Sequence, residues 1–378
     1  MSAATRSLLP VALSDQRFEH FPAPHAAPLT RALPARGISI AMQLGKDVGS
    51  LKAATTGRMS WPDCLAVMLS VGGPVMKILI AYDGSECAEA AIADLQWAGL
   101  PREAEARIIS VSEMVLPPPM SYTLPSAGAI ELQKMFESNA LRQAQEAGKR
   151  VQSIFPDWAV GVEAHPGSPA SAIIALADDW QPDLIVVGSH GRSRLGRFVL
   201  GSVSQTVLNE AHCSVRVARG PAADGTEEES GPVRILVGID GSEISDAAVA
   251  VIAARNWPAG TQVRILNADF NITPMGSEYV LAAISQWIAE ERARVARSVE
   301  TARRKVEAAG LEAQVVTRPG EPKELLLEEI DIWKPDTIFL GARNLTRGGR
   351  LRLGSVSSAI AARAHCSVEV VRLATTSR

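Results

Sequence analysis

Aromatic residues are scarce in this chain: Trp, Tyr and Phe together make up 4% of 378 residues. Apolar residues nevertheless reach 47%, so any packed core has to be aliphatic, built from Val, Ile, Leu and Ala. An excess of charge is also missing. The 38 Lys and Arg nearly balance the 41 Asp and Glu, a net charge of −3, which leaves no electrostatic footprint for a nucleic acid. Cysteine is limited to Cys64, Cys87, Cys213 and Cys366. None forms a C-x-x-C pair or has a His at metal-ligand spacing, which speaks against a structural zinc site and fits a reducing compartment. Long apolar runs are lacking as well. Cys64–Leu69 is apolar but far too short to span a bilayer, so no membrane partner is expected.

Residues 1–75 lack sustained periodicity and carry scattered Pro and Gly. They read as a disordered N-terminal extension. Asp15 and Glu19 argue against an organelle-targeting peptide, and the expected location is cytoplasmic. Met76 opens the first convincing strand, so the natural start could lie there.

What the chain does have is two echoing stretches. The first runs from Val186-Val187-Gly188 through Gly191-Arg192 to Gly201-Ser202; the second runs from Phe339-Leu340-Gly341 to Gly354-Ser355. In each, an apolar run ends at a Gly, a basic loop follows, and Gly-Ser opens a helical pattern. Strand, loop and helix N-terminus in that order form a favoured anion site, because N–H groups without intrahelical partners point outward and the dipole favours negative charge. The spacing G-x2-G-x9-G-S is neither a Walker loop nor a dinucleotide fingerprint.

From Met76 a βα alternation begins. Lys77–Tyr82 reads as a buried strand, Asp83-Gly84-Ser85 as a turn, and Ser85 as the cap of a helix with Ala88, Ala91, Ile92 and Leu95 on one face. A long helix is predicted with Phe136, Ala140, Ala144, Ala147 and Val151 inward. Residues 220–232 read as a linker, after which the plan repeats. Asp83 and Asp240 are 157 positions apart; Pro166 and Pro319, Trp180 and Trp333, and Cys213 and Cys366 are each 153 apart. This is a duplication, with expected domains at 76–219 and 233–373. Each copy reads β-α-β-α-β-α-β-α-β. That order implies an α/β fold: two doubly wound, five-stranded, mostly parallel sheets, with ligands expected beyond the carboxyl ends of the strands.

The loop, the Asp-Gly-Ser turn and the duplication resemble the universal stress protein family in its nucleotide-binding branch, over most of the chain from Met76 onward. The resemblance implies a sheet of the kind just described, an adenine nucleotide such as ATP as ligand, and Mg²⁺ only by way of its phosphates. It implies that Asp83 contacts the adenosine portion, that Val111 presents backbone to adenine, and that Gly188, Gly191, Gly201 and Ser202 hold ribose and phosphates. Arg192 could pair with phosphate or belong to a solvated face. Asp83 could equally cap its turn, and Gly188 could merely end a strand. His190 is expected as a solvated loop histidine. The second copy keeps Asp240, Gly341, Gly354 and Ser355 but has Asn344 for the second loop glycine and Ala268 for Val111, so the resemblance is weaker there. No nucleophile or general base is evident, so no catalytic or metal-binding residues are assigned and the expected role is a nucleotide-dependent sensor or regulator. A slow ATPase or self-phosphorylating protein, with Ser202 or Ser189 as acceptor, and a nucleotide-free scaffold are the alternatives. In the family the last strands form dimer contacts. The two copies are therefore expected to pair as an intrachain pseudo-dimer through residues 214–218 and 367–371, with Arg216 and Glu369 at matching positions, and further homodimerisation stays open.

Overall fold

The structure, a computed structural model, describes residues 75–113, 126–190, 200–220, 232–269, 278–342 and 353–373. The extension expected at 1–75, apart from Val75, lies outside these residues, as do Gly191, Arg192 and Asn344. The first half runs β1 (Met76–Ala81), α1 (Glu86–Asp94), β2 (Ala104–Ser112), α2 (Ser126–Ile154), β3 (Ala159–Pro166), α3 (Pro169–Trp180), β4 (Leu184–Gly188), α4 (Ser202–Glu210) and β5 (Ser214–Ala218). The second runs β6 (Arg234–Gly238), α5 (Glu243–Ala254), β7 (Gln262–Asp269), α6 (Glu278–Ala308), β8 (Glu312–Pro319), α7 (Pro322–Trp333), β9 (Thr337–Gly341), α8 (Ser355–Arg363) and β10 (Ser367–Val371).

The strands join in one ten-stranded sheet of order β3-β2-β1-β4-β5-β10-β9-β6-β7-β8. All neighbours are parallel except β5 and β10, which pair antiparallel. The two final strands, expected at sheet edges, thus cover each other's unpaired N–H and C=O groups and become the centre of the sheet. β3 and β8 are the outer edges.

Alternation along the strands sends side chains to two faces. On one face a single apolar core crosses the junction: Val215, Val217, Val368 and Val370 lie between α3 and α4 on one side and α7 and α8 on the other. On the opposite face the cores are separate. Ile78, Ile80, Leu184 and Val186 pack under α1 and α2, whereas Ile235, Val237, Val263 and Ile265 pack under α5 and α6. Of the predicted inward face of α2, Ala140, Ala144, Ala147 and Val151 are buried, but Phe136 is 37% exposed. It stands more than a turn before the first of these alanines, so apolar period alone did not reveal where coverage stops.

Between the two separate cores lies a buried ionic row. Arg216 and Glu369 are register partners, and neither has any exposure. Arg216 donates through Nε to Asp94 Oδ2 (2.6 Å) and through Nη2 to Asp94 Oδ1 (3.1 Å), from the end of α1. Its Nη1 reaches Thr337 Oγ1 (3.1 Å) and Glu369 Oε2 (3.4 Å). Arg255, just past α5, donates through both Nη atoms to Glu369 and also to the Ala98 carbonyl (2.8 Å). Burial alone would lower the Arg216 pKa, but Asp94 first and Glu369 next raise it instead. Outside this row, Arg219 and Arg372 make reciprocal contacts. Arg219 reaches Ala361 O (2.6 Å) at the end of α8, while Arg372 reaches Leu208 O at the end of α4. Each cation thus caps the negative end of the other half's last helix.

Cys213 and Cys366 are buried just before β5 and β10, and burial pushes both thiols up to about 12. A thiol whose folded pKa exceeds its unfolded value keeps its stabilising contribution below the unfolded value and loses it as pH rises toward the folded one. Stability is therefore expected to fall between about pH 9 and 12, followed by urea unfolding across that range. Iodoacetamide at pH 8 should leave both thiols unlabelled in the folded chain and label them once urea is added.

Candidate functional site

In each half the strand order reverses between the first and fourth strands, β1 and β4 or β6 and β9. A cleft is expected beyond their carboxyl ends. In the second half a cavity of about 470 Å³ opens there. This is within the size range of small-molecule sites. Its lining comes from Gly238 at the end of β6, Ile239 and Asp240 just after it, Leu266 and Ala268 of β7, and Leu340 and Gly341 of β9. The first turns of α5 and α8, Pro322 and Leu326 of α7, and Leu373 complete it. All four second-copy residues read from sequence, Asp240, Gly341, Gly354 and Ser355, line this one cavity. The apolar walls from Leu266, Leu326, Leu340 and Leu373 were not singled out, because in sequence they look like ordinary core.

Local chemistry explains the arrangement. Asp240 Oδ1 accepts from Ser242 N (3.0 Å) and Ser242 Oγ (2.5 Å), which fixes the turn. Ser242 Oγ then accepts from Ser245 N (3.3 Å) and caps α5. By contrast, the N-cap of α8 is Gly354, which has no side chain to cap the helix. The first N–H groups of α8 are thus presented to the cleft. Gly341 has a packing duty as well: a Cβ there would lie 2.8 Å from the Ile244 side chain and 3.0 Å from its backbone carbon. The glycine lets α5 approach the end of β9.

The first half repeats the geometry with its own residues. Asp83 Oδ1 accepts from Ser85 N (3.0 Å), and Ser85 Oγ caps α1 through Ala88 N (3.1 Å). A Cβ on Gly188 would meet the Cys87 backbone at 3.0 Å. Ser204 Oγ donates to Gly188 O (2.6 Å), and Gly201 N donates to Ser189 O (2.8 Å), so the two ends of the glycine stretch are tied together. Gly201 caps α4 without a side-chain bond, and Ser202 is exposed at its first turn. Val111 is half-buried near the end of β2, opposite His165 of β3. Gly191 and Arg192 lie outside the described residues.

His190 differs from the solvated histidine expected. It is partly buried, with Nδ1 3.1 Å from Ser189 Oγ, and its buried Nε2 has no hydrogen-bond partner among the described residues. Ser189 Oγ in turn lies 3.8 Å from Cys87 Sγ. Burial, reinforced by the nearby Arg219 charge, lowers the His190 pKa and disfavours the charged ring. Among the described residues no group of three or more His, Cys, Asp or Glu could hold a metal, and no helix is long and apolar enough to cross a membrane.

A model of the universal stress protein family matches residues 74–219 and again 233–372. The chain belongs to the universal stress protein family. A family member from Methanocaldococcus jannaschii is 34% identical over 151 residues, 38% of this chain and 82% of that protein. One from Mycolicibacterium smegmatis is 28% identical over 315 residues, covering 78% of this chain and 96% of its own, so both family repeats have counterparts in a single relative. A Mycobacterium tuberculosis member is 30% identical over 157 residues, and the match spans only 50% of that protein's length. The crystal structure of a universal stress protein from Archaeoglobus fulgidus superposes with a TM-score of 0.52 at 19% identity, covering 78% of this chain and 98% of that one. At that identity the likeness concerns the fold.

Proposed function

We propose that the chain binds an adenine nucleotide, ATP foremost, and acts as a cytoplasmic, nucleotide-dependent regulator in a stress response. The observation that carries this reading is the cavity of about 470 Å³ at the switch point of the second half, which ends on the uncapped start of α8. In this reading the base and ribose lie against Leu266, Ala268 and Asp240. The phosphates meet the N–H groups of Ser355 and its neighbours, where an anion gains both hydrogen bonds and the dipole's field. Mg²⁺ enters on the phosphates. The first half supplies the same uncapped helix start at Gly201 and is read as a second site.

The test is calorimetric titration of the full chain with ATP and, separately, with adenosine, alongside extraction and identification of any molecule that co-purifies. ATP should bind at least about tenfold more tightly than adenosine, a difference of 1.4 kcal/mol for the phosphate contacts. Equal affinities would remove the helix start from the account, and no binding of either would end the reading. Self-phosphorylation is a second reading, favoured by the 3.1 Å approach of His190 Nδ1 to Ser189 Oγ. A peptide carrying a phosphoryl mass shift at Ser189 after incubation with ATP would establish it.

A further inference from the structure

The two strands that meet at the centre of the sheet are copies of one another, and their sequences differ in an instructive way. Ser214, Val215 and Val217 of β5 have the identical residues Ser367, Val368 and Val370 in β10. The flanking Arg219 and Arg372 are also the same and make equivalent contacts. Backbone pairing and the valine face would therefore serve a first domain meeting another first domain as well as they serve the observed pair. Two buried positions differ. Ala218 has Val371 in its place, which keeps the position apolar, whereas Arg216 in β5 and Glu369 in β10, placed opposite each other by the register, differ in the sign of their charge.

Each of these charges has a counter-ion within its own domain. Asp94 holds Arg216, and Arg255 holds Glu369. Across the junction the signs alternate: Asp94, Arg216, Glu369, Arg255. Two first domains paired in this register would place Arg216 against Arg216, and two second domains Glu369 against Glu369. In both cases the like charges would be buried at the centre of the contact. Each isolated domain is locally balanced, so repulsion arises only when the wrong edges meet. Discrimination of this kind works by penalising the competitor.

We propose that the β5 edge is charge-keyed. It accepts a strand carrying a carboxylate at the Glu369 position and rejects a copy of itself, so its fitting partner is the second domain of this chain or of another copy. The inference does not depend on nucleotide binding.

The test uses the full chain with paired exchanges that keep each domain's own ion pair. D94R/R216E makes both edges acidic, and R255E/E369R makes both basic. Each variant alone is expected to open at the junction, seen as a larger radius of gyration in solution scattering. Mixing them in equal amounts should give a 1:1 complex of twice the molar mass, in which edges pair between chains. The chain with all four exchanges should close again. Half-exchanged chains that stay as compact as wild type, or that fold but fail to associate on mixing, would overturn the proposal. Should the exchanges lose their circular dichroism signal, E369Q and E369K decide the matter. E369Q closed with E369K open supports the key, and identical behaviour of the two refutes it.

Discussion

Arg216→Met should lower the stability of the folded chain by about 3–5 kcal/mol, the range for removing one member of a buried ion pair. The reason lies in what is left behind. Glu369 keeps both contacts from Arg255, but Asp94 loses its bidentate partner and retains Ser367 Oγ at 2.7 Å. Asp94 is also the last residue of α1, where the helix dipole disfavours an anion. Methionine fills much of the arginine's volume, so the loss reports charge more than a cavity. Asn at Asp94 on the same background should recover part of the stability, because a neutral amide is cheaper to bury than an unpaired carboxylate. Equilibrium urea unfolding of wild type, R216M and R216M/D94N measures this. A loss below about 1 kcal/mol for R216M would place the row among weak surface pairs. The exposed pair Arg303 with Glu300 on α6 is the internal comparison. Hydrogen bonds from Arg303 and Arg304 pull the Glu300 carboxyl down to about 2, yet the group lies at the surface and E300Q should leave the unfolding midpoint where it is.

The same row marks the limit of what residue order conveys. Arg216 and Glu369 were legible as partners because the duplication aligns them and β-pairing of equivalent strands is the simplest way to cover two edges. Asp94 and Arg255 were not, since a charge at the end of an amphipathic helix normally points to water. Their burial follows from a tertiary event, the meeting of the α1 and α5 ends beneath the joined sheet. There Asn256 N donates to Gly99 O (2.9 Å), and Gly99 adopts φ +63° directly against the Trp257 ring. The reciprocal caps by Arg219 and Arg372 were hidden for the same reason. At the candidate site the polar landmarks stood out because Asp-Gly-Ser and Gly-Ser are strong local signals for turns and helix starts. The leucines that give the cavity its walls carry no such signal. Residue order offers Gly188 as part of a phosphate cradle or as the end of a strand, but not the packing: the tightest neighbours of Gly188 and Gly341 in the fold are the first turns of α1 and α5. His190 was misjudged because nothing in its sequence neighbours indicates that the ring turns toward Ser189 rather than outward.

Ala268→Trp should abolish nucleotide binding in the second domain, an affinity loss of at least about 100-fold or 2.8 kcal/mol. Ala268 lies near the end of β7 on the wall of the cavity, among residues proposed to receive the base. An indole there would occupy much of the space of about 470 Å³ while leaving Asp240, Gly341 and the start of α8 in place. Because the side chain enters a cleft rather than a packed core, the thermal midpoint should hardly move, which separates loss of the site from loss of the fold. Val111→Trp is the matching change in the first domain, at the corresponding place on β2. If both domains bind, each variant alone should halve the number of sites seen by calorimetry, and the two together should remove binding. Unchanged stoichiometry in A268W, with V111W silencing the chain, would confine the ligand to the first domain. The second cavity would then need another occupant. The comparison turns on one difference in sequence between the copies: Ala268 on β7 stands where β2 has Val111. The smaller side chain leaves more room for the proposed base, so the second domain should also tolerate bulkier substituents on the adenine ring than the first.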